Sequence, residues 1–460
     1  MRGRFHRTVL PFVTILASSS GLAVTAELSA QAIRRETLPS ELARLSDEEV
    51  SRIARMSPLP PIPADPTNRF ADDDRAARLG HRLFFERRLS PAGVSCADCH
   101  EPEKAFTDGR ALGEGVGRSI RNTPTVIDTA RRRWVGWDGK FDSLWSQALA
   151  PIEHPNEMGG SRERLLRTVR DDAELRGMYE SVFGPWPAEL AAANPDPLAD
   201  PPSDSSSAPA SGVDRSPQGA APDAQDARGA SVDATTVKLL KALGAYQRKL
   251  VSGEAPIDRA VAALKRGSAI DPADLDGSAL RGLALFVSRA GCFQCHRGPS
   301  FTDEEFHSLG FAGANGRVAD DPARLSAVDF LKASPWNASG PHSDAPDSPK
   351  GQMVRALRRS GELFGQFRTP PLRGVAQTPP FMHDGRLATL ADVVRFYDTL
   401  EGASPVGHHG ETVLVPLGLT DAERGDLVRF LESLSGKAPN PEWTGDPARQ
   451  EPRTSGPEGR

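Results

Sequence analysis

The sequence predicts a mainly α-helical protein built as two similar units, and three observations lead there. Strand signals are scarce along the 460 residues. Apolar residues recur at three- and four-residue steps, first as Ala76, Leu79 and Leu83, then as Leu280, Leu283 and Val287. One short motif also occurs twice, as Cys96-Ala97-Asp98-Cys99-His100 and Cys292-Phe293-Gln294-Cys295-His296, and the two copies use all four cysteines.

C-x-x-C-H is the attachment signature of c-type haem. Two thiols add across the porphyrin vinyl groups, and the histidine that follows is placed to bind iron from one side. A single C-x-x-C also fits a redox dithiol, and the two pairs together would suit a four-thiolate zinc site. Neither alternative needs a histidine directly after each second cysteine. Two covalent haems are therefore expected, held by Cys96, Cys99, Cys292 and Cys295, with His100 and His296 as proximal ligands.

The organisation follows in chain order. Residues 1–30 read as a secretory signal: a basic start (Arg2, Arg4, Arg7), a mostly apolar stretch from Val9 to Ala17, then small residues with cleavage near Ala26 or Ala30. The apolar stretch is short and interrupted by Pro11, well below the ~20 residues that span a bilayer, so no transmembrane segment is expected in the mature chain. Export to the periplasm suits haem attachment. Residues 40–184 are expected to form the first haem domain and residues 232–438 the second. Between them, residues 185–231 are rich in Pro, Ala, Asp, Ser and Gly and read as a disordered insertion. Residues 439–460 read as a flexible tail. The net charge of −5 gives no electrostatic footprint for nucleic acid; the run Arg131 to Arg133 reads as a solvated patch or a haem-propionate contact.

Each haem motif is preceded by a helix with the same internal pattern, Gly80-His81-Arg82-Leu83-Phe84 and Gly282-Leu283-Ala284-Leu285-Phe286. A glycine one turn from an aromatic ring lets another helix approach while the ring fills the gap. This resembles the first helix of cytochrome c domains, where it crosses the last. A matching last helix is predicted from Thr420 and Glu423, which form a capping box, and from Leu427, Phe430, Leu431 and Leu434 on one face. Gly436 is expected to stop it.

Further segments carry a more specific resemblance: Phe106-Thr107-Asp108-Gly109-Arg110, Arg121-Asn122-Thr123-Pro124-Thr125, Trp137-Asp138-Gly139, Gln147-Ala148, Glu157-Met158, Phe301-Thr302-Asp303 and Pro380-Phe381-Met382-His383-Asp384-Gly385. In this order they resemble the bacterial di-haem cytochrome c peroxidase and MauG-like family. The likeness covers about 76–158 and 279–435, and leaves out 312–366.

The resemblance implies roles. The His100 haem would be the peroxide site. The loop Gly113-Glu114-Gly115-Val116-Gly117-Arg118 lacks the histidine that caps this iron in the resting peroxidases, so an open position is implied; Glu114 is the alternative cap. Glu157 would be the general acid/base for O–O cleavage, a task suited to a positioned carboxylate, although by composition it lies in an ordinary polar turn. Gln147 would orient the peroxide. Trp137 would relay electrons between the haems, or simply pack in the core. Counting from His383-Asp384-Gly385, Tyr397 falls where MauG-like members carry a tyrosine ligand to the second iron. By periodicity alone it lies on the apolar face of Leu390, Val393, Val394 and Leu400, with Met382 and Met353 as competing ligands. A calcium ion held by the Asn122 side chain and the Thr378 and Pro380 carbonyls is also implied, a donor set suited to a hard cation.

The expected function is reduction of hydrogen peroxide with electrons from a small cytochrome or copper protein, entering at the His296 haem. Two alternatives stay open: a MauG-like oxidase acting on residues of a partner protein, and a non-catalytic electron carrier. His383 is expected to brace its loop, His307 is given no role, and His154, His342, His408 and His409 are expected at the surface.

Overall fold

The computed structural model describes residues 33–192, 222–311, 321–403 and 414–449. The expected signal, His408, His409, the end of the tail and the middle of the 185–231 stretch lie outside them. The protein is mainly helical; its one sheet among the described residues is a two-residue antiparallel pair, Phe306↔Arg368 and His307↔Phe367. No helix among these residues is long and apolar enough to cross a membrane.

Two helix crossings organise two cores. The helix Asp74–Phe84 begins where the Asp73 carboxylate accepts the Arg75 and Ala76 amides. It buries Ala76, Leu79, Leu83 and Phe84 against the helix Pro222–Gln247. The approach is so close that a Cβ on Gly80 would lie 2.0 Å from Ala242 O. The second crossing repeats the geometry: Gly277–Val287 meets Asp421–Glu432, and a Cβ on Gly282 would lie 2.0 Å from Asp426 O. Thr420 and Glu423 form the expected capping box, and Leu427, Phe430, Leu431 and Leu434 are buried. The Arg281 guanidinium donates twice to Asp426, at 2.8 Å each, and pins the crossing. Gly436 does not stop the helix. The helix ends at Glu432 with Ser433 as its cap, and Gly436 instead gives the Gly253 carbonyl room to approach.

The segments divide between the cores differently from the expected boundaries. Leu42, Leu45, Val50, Ile53 and Met56 precede the first haem motif, yet they pack in the second core. Val232 to Leu250, assigned to the second domain, instead complete the first core, because their apolar face is what covers the Gly80 stripe. The biased stretch is also shorter than 185–231: Trp186 and Leu190 are buried, and helix resumes at Pro222. The tail is anchored at Trp443, whose carbonyl accepts from Tyr246 Oη at 2.8 Å, and at Gly445, whose carbonyl accepts from His81 Nε2 at 2.8 Å.

Residues 321–366 carry the helices Arg324–Ala333 and Pro349–Ala356, and Leu331 and Val354 on these helices, with Ala338 between them, pack against Trp134. His342, expected at the surface, stacks on Trp336 with ring centroids 4.3 Å apart and is half-buried.

Candidate di-haem site

Both haem motifs are set up by one local device. Cys96–Cys99 is a single helical turn in which Asp98 accepts from the Ser95 amide and hydroxyl, each at 2.8 Å. The chain then turns back so that His100 Nδ1–H donates to Phe106 O at 3.1 Å. At the second motif His296 Nδ1–H donates to Phe301 O at 3.0 Å. Phe106 and Phe301 both sit at positive φ, 58° and 53°, and both are buried. A carbonyl on Nδ1 fixes the tautomer and leaves Nε2 with its lone pair for a metal. Burial keeps both imidazoles neutral by lowering their pKa values.

The far side of the first motif is built by a turn and a loop. Gln147 lies on the helix Leu144–Glu153, and the chain doubles back after Pro151: Met158 N donates to Pro151 O at 3.1 Å and Gly160 N to Ile152 O at 2.7 Å. This brings Glu157 beside that helix. The loop of glycines lies directly on the turn, with Val116 N donating to Glu157 O and Gly117 N to Asn156 O, both at 2.8 Å. A Cβ on Gly115 would lie 2.3 Å from Glu157 O, so only glycine permits this contact. The Cys96 and Cys99 thiols are pushed up to about 12 and about 11, chiefly by burial, with the Glu157 charge contributing to both. The Glu157 carboxylate therefore sits within electrostatic reach of both thiols of the first motif. Its side chain is 42% exposed, and His154 Nδ1 lies 3.9 Å away. Glu114, the alternative cap, points outward instead and pairs with Arg110 at 2.7 Å.

Trp137 is held from two sides. Its Nε1–H donates to Asn122 O at 2.8 Å, while its own carbonyl accepts from Arg368 N at 2.8 Å. One hydrogen bond thus reaches the first haem's loop and the other the second's. Asn122 is fixed in turn by His383 O on its amide and by Arg110 O on its side-chain Nδ2, each at 2.8 Å. That leaves Asn122 Oδ1 as its acceptor, and Asn122, Thr378 and Pro380 all line one cavity.

This cavity, about 570 Å³, also contains Cys292, Cys295, His296, Tyr397 and Trp137. Tyr397 lies on the helix Leu390–Thr399. Its phenol pKa is raised, first by burial and then by the Cys292 and Cys295 thiols, so it stands close to both. Met382 lines the cavity, whereas Met353 packs with Trp134, away from it. His383 stacks on Phe367 at 3.7 Å between centroids, and burial pulls its pKa down to about 4. His307 bonds Asp303 at 3.0 Å beside Cys295, and that bond is the main cause raising its pKa to about 10.

The donor set fits a covalent haem. Two thiols and an imidazole anchored through Nδ1 share one largely apolar space, with the Tyr397 phenol in the same space. The His100 motif repeats the thiols and the fixed imidazole. Sequence reasoning missed the Phe106 and Phe301 carbonyls, although Phe-Thr-Asp recurs after both motifs and could have revealed them. It also missed Arg368 and Thr369 in the cavity wall; a second Thr-Pro pair, matching Thr123-Pro124, was the available signal.

Two fixed imidazoles, each following a pair of thiols, define a di-haem c-type redox protein. The comparisons place the chain more closely. Residues 74–266 match the family model described as di-haem cytochrome c peroxidase. The cytochrome-c peroxidase IdrP1 of Denitromonas iodatirespirans is 32% identical over 400 residues, 85% of this chain and 90% of that protein. The methylamine utilization protein MauG of Methylorubrum extorquens is 29% identical over 442 residues, 94% of this chain and 97% of that protein. In fold, the di-haem peroxidase BthA of Burkholderia thailandensis superposes with a TM-score of 0.56 at 23% identity, covering 85% of this chain and 91% of that one. The chain belongs to the di-haem cytochrome c peroxidase and MauG family, whose members are haem oxidoreductases acting on peroxide.

Proposed function

We propose that this protein reduces hydrogen peroxide at the haem on His100, drawing electrons through the haem on His296 from a small cytochrome or copper protein. The observation that carries the reading is an asymmetry between the two sites. Tyr397 shares the cavity of the second haem with both thiols, whereas the loop over the first offers only Glu114, which is turned away to Arg110. One iron thus has an oxygen ligand at hand, and the other is left accessible. When attached, the haems supply the redox chemistry and the protein supplies ligands, protons and access.

Glu157 takes the proton from the inner peroxide oxygen and returns it to the outer one, the task of a positioned general acid/base. Gln147 holds the peroxide by hydrogen bonds. Trp137, held at Nε1 by Asn122 and at its carbonyl by Arg368, keeps an indole between the two sites as the electron path. Asn122, Thr378 and Pro380 would hold a calcium ion nearby. The basic-then-apolar start of the chain supports export, with haem attachment in the periplasm.

Tyr397 and the likeness to MauG also favour a second reading, in which the oxidising equivalents are spent on side chains of a partner protein. The deciding assay is peroxide consumption by the di-haem protein with a reduced small cytochrome as donor. Turnover is expected, and Trp137→Phe should slow electron delivery to the His100 haem by about tenfold or more while leaving both haems attached; each tenfold corresponds to about 1.4 kcal/mol of barrier. No turnover in a fully loaded protein would leave an electron carrier, and an unaltered rate in Trp137→Phe would remove the indole from the path.

A further inference from the structure

The wall of the cavity at the second motif holds a cationic pair that the roles above leave unused. Arg132 is partly buried, with its Nε shielded from solvent: burial, followed by the like charge of Arg368, pulls its pKa down to about 9. Its Nη2 reaches Thr125 O only at 3.4 Å, and its Nε has no hydrogen-bond partner among the described residues. The Arg368 side chain is 3% exposed; its Nη1 lies 3.4 Å from Glu304 and donates to Thr369 O at 3.1 Å. The buried Thr369 hydroxyl faces the Asp303 carboxylate, whose pKa it helps to lower. All three residues line the cavity that contains His296, Cys292 and Cys295.

The charges do not balance. Glu304 acts on both guanidiniums, while Asp128, which also acts on Arg132, is already tied to Arg131 and Ser252. Arg132 and Arg368 therefore share Glu304, and the second carboxylate near Arg132 already has partners of its own. An incompletely paired buried charge is costly, and proteins keep one where an anion completes it. The unpartnered Nε of Arg132 is a donor for such an anion, and a planar guanidinium fork matches a carboxylate.

We infer that Arg132 and Arg368 form the anion site that receives porphyrin carboxylates at the His296 cavity, and that the pair raises the reduction potential of that haem. Positive charge beside the iron favours the form that has gained an electron. Arg132 comes from the loop between the first haem's Thr125 and Trp137, and Arg368 from the short strand pairing with Phe306, so one bound haem would tie both halves together. The inference rests on haem attachment and not on peroxide chemistry, so its failure is separable from failure of the peroxidase reading.

The test is a spectroscopic redox titration of the di-haem protein without peroxide, comparing wild type with Arg132→Met, Arg368→Met and Arg368→Lys. Each methionine variant should lower the equilibrium constant for reducing the His296 haem by about tenfold, ~59 mV for a one-electron couple. The lysine variant should stay close to wild type. Fully loaded methionine variants at the wild-type potential would overturn the inference. If the methionine variants lose the second haem, Arg368→Lys decides: retention of that haem supports a charged site, and its loss overturns one. Titrating wild type with inorganic phosphate at constant ionic strength separates the two anion sources. An unmoved potential is expected; a potential that follows phosphate would mean that the site takes a free anion and that the haem-carboxylate reading is wrong.

Discussion

Glu157→Gln is expected to lower the rate of peroxide reduction by about 10²-fold or more, the usual scale for an acid–base group. Glutamine keeps the size and the hydrogen-bonding capacity of the side chain, but it cannot carry a proton between the two peroxide oxygens. The backbone contact with the loop of glycines is made by the Glu157 carbonyl, so the turn itself should survive the change. Glu114→Gln is the matched control: its carboxylate is exposed and paired with Arg110, and its loss should leave turnover within about twofold, a surface ion pair being worth little. Both variants need their haem content measured alongside the rate. Unchanged turnover in a fully loaded Glu157→Gln protein would remove this residue from the mechanism.

Gly282→Ala is expected to destabilise the second unit more than any other single methyl addition proposed here. Alanine gains up to about 1 kcal/mol over glycine in a helix interior. At this crossing, however, the new Cβ would lie 2.0 Å from Asp426 O and 2.8 Å from Phe430 Cβ. Asp426 O is backbone and cannot swing aside, so the two helices must part. Overpacking of that kind costs about 1–3 kcal/mol or more, which outweighs the propensity gain. Gly425, on the partner helix, meets nothing within 4 Å, and Gly425→Ala should be neutral or stabilising. The comparison is made by thermal unfolding of the haem-loaded proteins. A Gly282→Ala midpoint equal to that of Gly425→Ala would mean that the crossing is looser than described.

The repeated C-x-x-C-H motif and both glycine crossings were legible because each is written locally. A C-x-x-C-H motif needs no distant residue to be recognised, and a glycine one turn from an aromatic announces a close neighbour without naming it. The neighbour's identity was the part that sequence left open. The apolar faces of Val232 to Leu250 and of Val50 to Ile53 suit either core, and only packing assigns the first to Gly80 and the second to the later unit. Trp443 was hidden in a polar, proline-containing tail, since composition does not register that one indole can anchor eleven residues' worth of chain against Tyr246 and His81. Arg368 was invisible for a different reason: an arginine reads as surface until a cavity is seen behind it. Glu157 and Tyr397 could be picked out only through their resemblance, because each looks ordinary in its own segment.

Low-temperature electron paramagnetic resonance of the oxidised protein, compared with Tyr397→Phe, tests the central asymmetry most directly. The account predicts one high-spin signal from the accessible His100 haem and one low-spin signal from the His296 haem, and only the low-spin signal should change in Tyr397→Phe. Two low-spin signals, both indifferent to Tyr397, would mean that other residues cap both irons and would contradict the open peroxide site.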